Sequence, residues 1–296
     1  MAYERFRQLL GEPILEAKEL DPGYSGHASS VWLVKTPTRE AIVRSSRLKD
    51  EPDREFWGGC RWLFGIDPRR MIFMEHSAGL LNRISVIPAP RTLSKAIVQG
   101  KEYIVVEKME GRQLARFADL TADALYEFGR WLAKVHGHRY ETFGNLAGTR
   151  AIHKNEFHRH MLSTMERLVS NEHGDRPEMK DELARISALT AGLPHPDGCA
   201  PVLVDMDPSQ FLASGGRITA IVDTEAYVIA PPELDFVGLE YVLDAAAAKP
   251  FAEGYASLRA IPDLSQVRAP YRFLYLLLGV HGSAELHEWN ARPPLF

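Results

Sequence analysis

Apolar residues recur along the chain with two different periods. Up to about residue 107 they come in short runs. VWLVKT and EAIVRSS are rich in β-branched residues and are separated by Pro37-Thr38-Arg39, which predicts a hairpin. SVIPAPRTLSKAIVQG and KEYIVVEKMEG predict a second strand pair turning at Gln99-Gly100. Residues 3–20 predict a short helix and the lead into a strand. PGYSGHASS, with Gly23 and Gly26 among small polar residues, predicts a turn. Phe56, Cys60 and Leu63 fall at helical spacing, which predicts a helix over EPDREFWGGCRWLFGI, although Gly58 and Gly59 lower its propensity.

After Gly111 the spacing changes. Leu125, Phe128, Leu132 and Val135 predict an amphipathic helix over DALYEFGRWLAKVHGH. KNEFHRHMLSTMERLVSN and MKDELARISALTAGL predict two more. Two short strand-like runs follow around 202–204 and 217–223, read as a small strand pair, and then a mostly helical tail. Strands segregated from helices predict an α+β chain rather than an alternating one. Its strand-rich part spans about 1–107 and its helical part 108–296.

Composition narrows the function classes. The chain has 296 residues, 25% of them charged, and a formal net charge of −4, which does not suggest a nucleic-acid-binding surface. No apolar run approaches the roughly 20 residues of a membrane span, and MAYERFRQLLGEP does not read as a signal peptide. Cys60 and Cys199 lie far apart and form no CxxC pair or disulfide framework, so a reduced, cytoplasmic setting is expected.

The candidate chemistry lies in LVDMDPSQFLASGGRITAIVDTEAYV. An apolar strand end delivers Asp205, Gln210 follows, the chain turns at Gly215-Gly216, and a second apolar run delivers Asp223. A hairpin of this length would bring the two carboxylates together. Taken alone, DMDP is also the composition of an ordinary polar turn.

This arrangement resembles the aminoglycoside phosphotransferase and choline kinase-like family. Its catalytic loop reads HGD followed by xxPxN, and its metal-binding segment IIDW or VIDFE. Asp205 matches the catalytic aspartate, Pro208 the loop proline, Gln210 the metal-binding asparagine, and Asp223 the second metal-binding carboxylate. Asp235 in PPELDFVGLEY matches a further family aspartate, for which a structural role is expected.

The upstream half agrees in order. GHASSVWLV resembles the nucleotide loop, with Gly26, Ser29 and Ser30 letting backbone amides approach phosphates. Arg44 matches the strand-end cation that pairs with those phosphates. Glu55 matches the helix glutamate that anchors the cation. YIVVEKMEGRQL resembles the lobe-linking hinge, with the backbone from Glu107 to Met109 facing adenine.

The resemblance implies a two-lobed protein kinase-like fold binding ATP or GTP and Mg²⁺. It implies transfer of a γ-phosphate to a small-molecule hydroxyl, with Asp205 as base. Such chemistry asks mainly for positioning and charge neutralisation. The motifs specify neither the acceptor nor an oligomeric state.

Three positions depart from the family pattern: Leu203 replaces the histidine, Val204 the glycine and Gln210 the asparagine. Asp207 adds a carboxylate that would serve as an extra ligand or as the base. The departures leave a second reading open, a kinase-like binding or regulatory protein. His153, His158 and His160 do not form an HExxH motif and suit an ordinary helix face. His136 and His138 sit where a helix C-terminal dipole would favour them.

Overall fold

The computed structural model describes residues 2–20, 28–280, 282 and 284–296. Gly26 lies outside the described residues. The chain opens with helix α1 (Ala2–Leu10) and strands β1 (Glu16–Glu19), β2 (Ser29–Lys35) and β3 (Glu40–Ser46). Helices α2 (Glu55–Phe64) and α3 (Ile72–Ile84) follow, then β4 (Thr92–Val98) and β5 (Lys101–Glu107). The five strands form one antiparallel sheet in the order β1-β2-β3-β5-β4.

Alternation along the strands decides what each face meets. Ala41 and Val43 of β3, with Val34, Tyr103 and Val105, pack against Phe6, Leu9 and Leu10 of α1. The intervening Ile42, with Ile104 and Val106, packs against Met71 and Met74 at the start of α3. Arg44 shares the parity of Ile42 and so leaves the sheet on the α3 side.

The sheet-covering helix α3 carries no element prediction in the sequence. Its polar residues interrupt a helical series, yet Phe73, Met74, Ser77, Ala78 and Leu81 are buried at helical spacing. The helix expected within residues 51–66 does form, over Glu55–Phe64. However, α2 packs on the helical part of the molecule instead of on the sheet. Gly59 explains the close fit: a Cβ there would stand 2.2 Å from Leu278 Cδ2.

Beyond the first sheet come β6 (Arg112–Gln113), α4 (Ala122–Val135), β7 (Thr142–Asn145), β8 (Ala151–His153), α5 (Phe157–Glu172) and α6 (Pro177–Thr190). Then follow β9 (Ala200–Leu203), β10 (Phe211–Ser214), β11 (Arg217–Ile221) and β12 (Tyr227–Ala230). Helices α7 (Glu233–Val242), α8 (Ala245–Ala256), α9 (Arg268–Leu277) and α10 (Leu286–Asn290) complete the chain. α2 lies against α5 and β7, and α4 against α8. Gly254 lets the last pair meet closely, since a Cβ there would fall 1.9 Å from the Tyr126 carbonyl oxygen. The result is an α+β architecture, a strand-rich first part and a helical second part.

The small strand pair expected near 202–223 is two separate sheets. β9 pairs with β12, in a four-stranded sheet ordered β8-β7-β12-β9. β11 pairs with β10, in a three-stranded sheet ordered β11-β10-β6. Runs as short as FLAS and YVIA carry little periodic signal, so the sequence left these partners unassigned. Among the described residues no helix is long and apolar enough to cross a membrane.

Candidate functional site

Asp205 follows β9, where the chain leaves the four-stranded sheet. Asp207 then caps a single 3-10 turn over Pro208–Gln210, its Oδ1 accepting from the Ser209 amide at 2.8 Å and from Ser209 Oγ at 2.6 Å. Pro208 opens that turn, where a missing N–H costs nothing. The turn delivers Gln210, which is buried, and Phe211 locks it down. The Phe211 ring meets Phe117, Phe128 and Trp131 edge-on, with centroids 5.3–6.1 Å apart.

Gln210 Nε2 donates to Asp205 Oδ2 at 2.7 Å, and the Gln210 backbone carbonyl accepts from the Val222 amide at 2.7 Å. That second bond ties the segment before Asp223 to the catalytic-loop candidate. Gln210 Oε1 is buried and has no hydrogen-bond partner. An orphaned acceptor is costly unless something fills it, so it marks a place for a donor or a cation.

Burial chiefly pushes the Asp205 carboxyl up to about 7, helped by the charges of Asp207, Asp223 and Glu225 and opposed by the Gln210 bond. A carboxyl held there can exchange a proton near neutrality.

Asp223 stands in the left-handed region, φ 59° and ψ 51°, at the start of a 3-10 turn over Thr224–Ala226. Such a conformation in a non-glycine residue is strained and recurs at functional sites. Arg44 Nη2 donates to Asp223 Oδ1 at 2.7 Å and stands 3.3 Å from Glu225 Oε2. Burial opposes the Arg44 charge, but Asp223 and Glu225 outweigh it and raise its pKa above the ordinary arginine value. Burial likewise pushes Glu225 up to about 7 against the pull of Arg44.

The sequence expected Glu55 to anchor Arg44. The structure does not bring these two together. Glu55 is exposed in the first turn of α2, where its amide donates to Glu172 Oε1 at 2.6 Å. α2 follows the helical part, so Glu55 goes with it. Glu225 stands beside Arg44 instead. The sequence signal for it was its place two residues after Asp223, the last letter of the family's VIDFE.

Ser29 Oγ donates to Glu225 Oε1 at 3.1 Å, whereas Ser30 Oγ accepts from Arg47 Nε at 3.0 Å. The two serines thus face different groups. Glu107 and Met109 line a cleft of about 870 Å³, together with Glu40, Lys108 and Gly111. The Glu107 carboxylate is held by Arg91 Nε at 2.8 Å.

Asp235 is fully buried. Its Oδ1 accepts from the Leu203 amide at 3.0 Å and its Oδ2 meets His136 Nε2 at 2.9 Å. His136 Nδ1 meets the Tyr255 hydroxyl at 3.0 Å. The imidazole ring is therefore engaged by Asp235 and Tyr255, and Asp235 steadies the end of β9 that carries Asp205.

Solved structures share this fold, among them the following three. Macrolide 2'-phosphotransferase MphH from Brachybacterium faecium, as apoenzyme, superposes with a TM-score of 0.63 at 14% identity, covering 98% of this chain and 96% of that one. Aminoglycoside phosphotransferase APH(4)-Ia, in a ternary complex with AMP-PNP and hygromycin B, gives 0.62 at 12% identity, covering 95% and 88%. The GDP and kanamycin complex of APH(2")-IIIa gives 0.64 at 14% identity, covering 93% and 88%. No curated protein matches the sequence. The family model described as "Phosphotransferase enzyme family" matches residues 22–273, and the chain belongs to that family.

Proposed function

We propose that this protein transfers the γ-phosphate of ATP or GTP to a hydroxyl of a small molecule, in the cytoplasm. One observation carries the reading. A buried carboxyl poised near neutrality, Asp205, shares its site with an unpartnered amide oxygen on Gln210 and with Asp223 beside Arg44. Solved relatives in complex with AMP-PNP or GDP and an aminoglycoside support a nucleotide donor and a small acceptor.

In this reading a lobe of residues 1–107 and a lobe of residues 108–296 hold the nucleotide between them. Gly26, Ser29 and Ser30 border its phosphates, and the hinge from Glu107 to Met109 borders its base. Asp205 orients the acceptor hydroxyl and takes its proton. Arg44 contacts the phosphates.

Mg²⁺ would be held by Gln210 and Asp223 and would neutralise phosphate charge. The donor set fits: one free amide oxygen and one carboxylate are oxygen ligands, and Mg²⁺ usually keeps waters and phosphates for the rest. Among the described residues no three His, Cys, Asp or Glu side chains converge to hold a metal unaided.

The test is nucleotide-dependent phosphorylation across a panel of hydroxylated and aminated small molecules. Asp205→Asn should lower turnover by about 10²–10⁴-fold without preventing nucleotide binding. Unchanged turnover in that variant would refute the assignment. A second reading, a binding module without turnover, is favoured by Arg44 resting on both carboxylates and by Leu203 in place of the family histidine. Nucleotide-dependent thermal stabilisation that requires Mg²⁺ supports the enzyme. Absence of any nucleotide response supports the binding module.

A further inference from the structure

We infer that Glu225 is the positioning residue for Arg44 and clamps the sheet to the helical part of the molecule. Both of its carboxylate oxygens are engaged. Oε1 accepts from Ser29 Oγ of β2 at 3.1 Å, and Oε2 stands 3.3 Å from Arg44 Nη2 of β3. Glu225 itself sits in the 3-10 turn after β11, and its side chain is 8% exposed. One buried side chain therefore joins two strands of the first sheet to the segment that carries Asp223.

The helix beside this turn does not supply the anchor. α3 packs against the turn, yet its buried residues are Phe73, Met74, Ser77, Ala78 and Leu81, none of them acidic. Its one acidic residue, Glu75, pairs with Lys95. Asp223 makes the shorter contact with Arg44, 2.7 Å, but its side chain is 40% exposed and would turn toward a bound ligand, which makes it the weaker candidate for a fixed anchor. When Asp223 does so, Glu225 keeps Arg44 paired and pointed. A buried charge-assisted contact of this kind holds direction better than an exposed one.

The role in positioning Arg44 rests on the phosphotransferase reading, whereas the clamp does not. The experiment separates them. Glu225→Gln keeps shape and the Ser29 bond but removes the charge; Ser29→Ala keeps the charge and removes the other arm. Two measurements are made on each full-length variant and on wild type. The first is amide exchange over 29–35 and 40–46 without nucleotide. Exchange should quicken about tenfold in Glu225→Gln and less in Ser29→Ala. The second is affinity for ATP and GTP in EDTA, and the Mg²⁺ midpoint. Affinity in EDTA should weaken about tenfold in Glu225→Gln, with an unmoved Mg²⁺ midpoint.

Unchanged exchange overturns the clamp. Unchanged affinity in EDTA with a shifted Mg²⁺ midpoint makes Glu225 a metal ligand and overturns the positioning role. Wild type that binds neither nucleotide overturns the phosphotransferase reading and the positioning role with it, and exchange alone then decides the clamp.

Discussion

Asp235 accepts from the Leu203 amide and meets the His136 ring while wholly removed from water. Removing it would leave both polar groups short of a buried partner. Asp235→Ala should cost about 2–4 kcal/mol, read as a lower urea midpoint with an unchanged slope. Asp235→Asn should cost less, because its amide oxygen can still accept from Leu203. His158 offers a pH test. Its Nε2 meets the Tyr271 hydroxyl at 3.0 Å, and burial, helped by the charge of His195, pushes its pKa down to about 4. An unfolded histidine protonates near 6.5. As pH falls from about 6.5 to 4 the unfolded chain takes the proton first, so stability drops across that window. The loss should approach about 2–3 kcal/mol and should shrink in His158→Gln, measured as the change in urea midpoint between pH 7.5 and 4.5.

At the scale of elements, glycine decides how closely helices approach. Gly59 of α2 faces a side-chain methyl of Leu278, which is buried but can shift slightly. Gly254 of α8 faces the backbone oxygen of Tyr126, which cannot. Gly59→Ala should therefore cost about 1–2 kcal/mol, overpacking exceeding the gain in helix propensity. Gly254→Ala should cost more, because α4 and α8 must separate. Denaturant unfolding of the two variants gives the order, and equal costs would contradict it. The same elements show what local pattern misses. Gly59, which weakens the propensity of α2, is the reason it seats against Leu278. The polar residues that mask α3 are accommodated by contacts that no period shows: buried Ser77 donates to the Phe73 carbonyl, and Glu75 pairs with Lys95 of β4.

Across the whole molecule, Glu240 ties three distant segments together. It is fully buried on α7, with Oε2 2.6 Å from Arg272 and Oε1 3.1 Å from Arg268, both on α9. The Leu295 amide donates to Oε1 at 3.1 Å, and the Arg272 Nη1 donates to the Arg292 carbonyl at 2.6 Å. Glu240→Ala would leave Arg272 buried without its carboxylate. A loss of about 3–5 kcal/mol is expected, with residues 291–296 becoming the first site of proteolysis. Limited digestion at native temperature reads this directly.

The period-2 runs before residue 107, the helical spacing after it and the order of the polar motifs were legible in the sequence. They determine the α+β class and the family resemblance, because an apolar period sets which face of a strand or helix is buried before any partner is known. Asp205, Gln210 and Asp223 could be placed because each stands at the end of an apolar run or in a turn, whereas Arg44 and Ser29 could be named only through the family resemblance. Their relations could not. Arg44 and Asp223 are 179 residues apart, yet bonded at 2.7 Å. That Glu225 rather than Glu55 stands beside Arg44, that β9 pairs with β12 rather than β11, and that α2 leaves the sheet were decided only by tertiary structure. Those outcomes depend on which distant surfaces bury one another and on where a buried charge finds its partner. No local period carries that information.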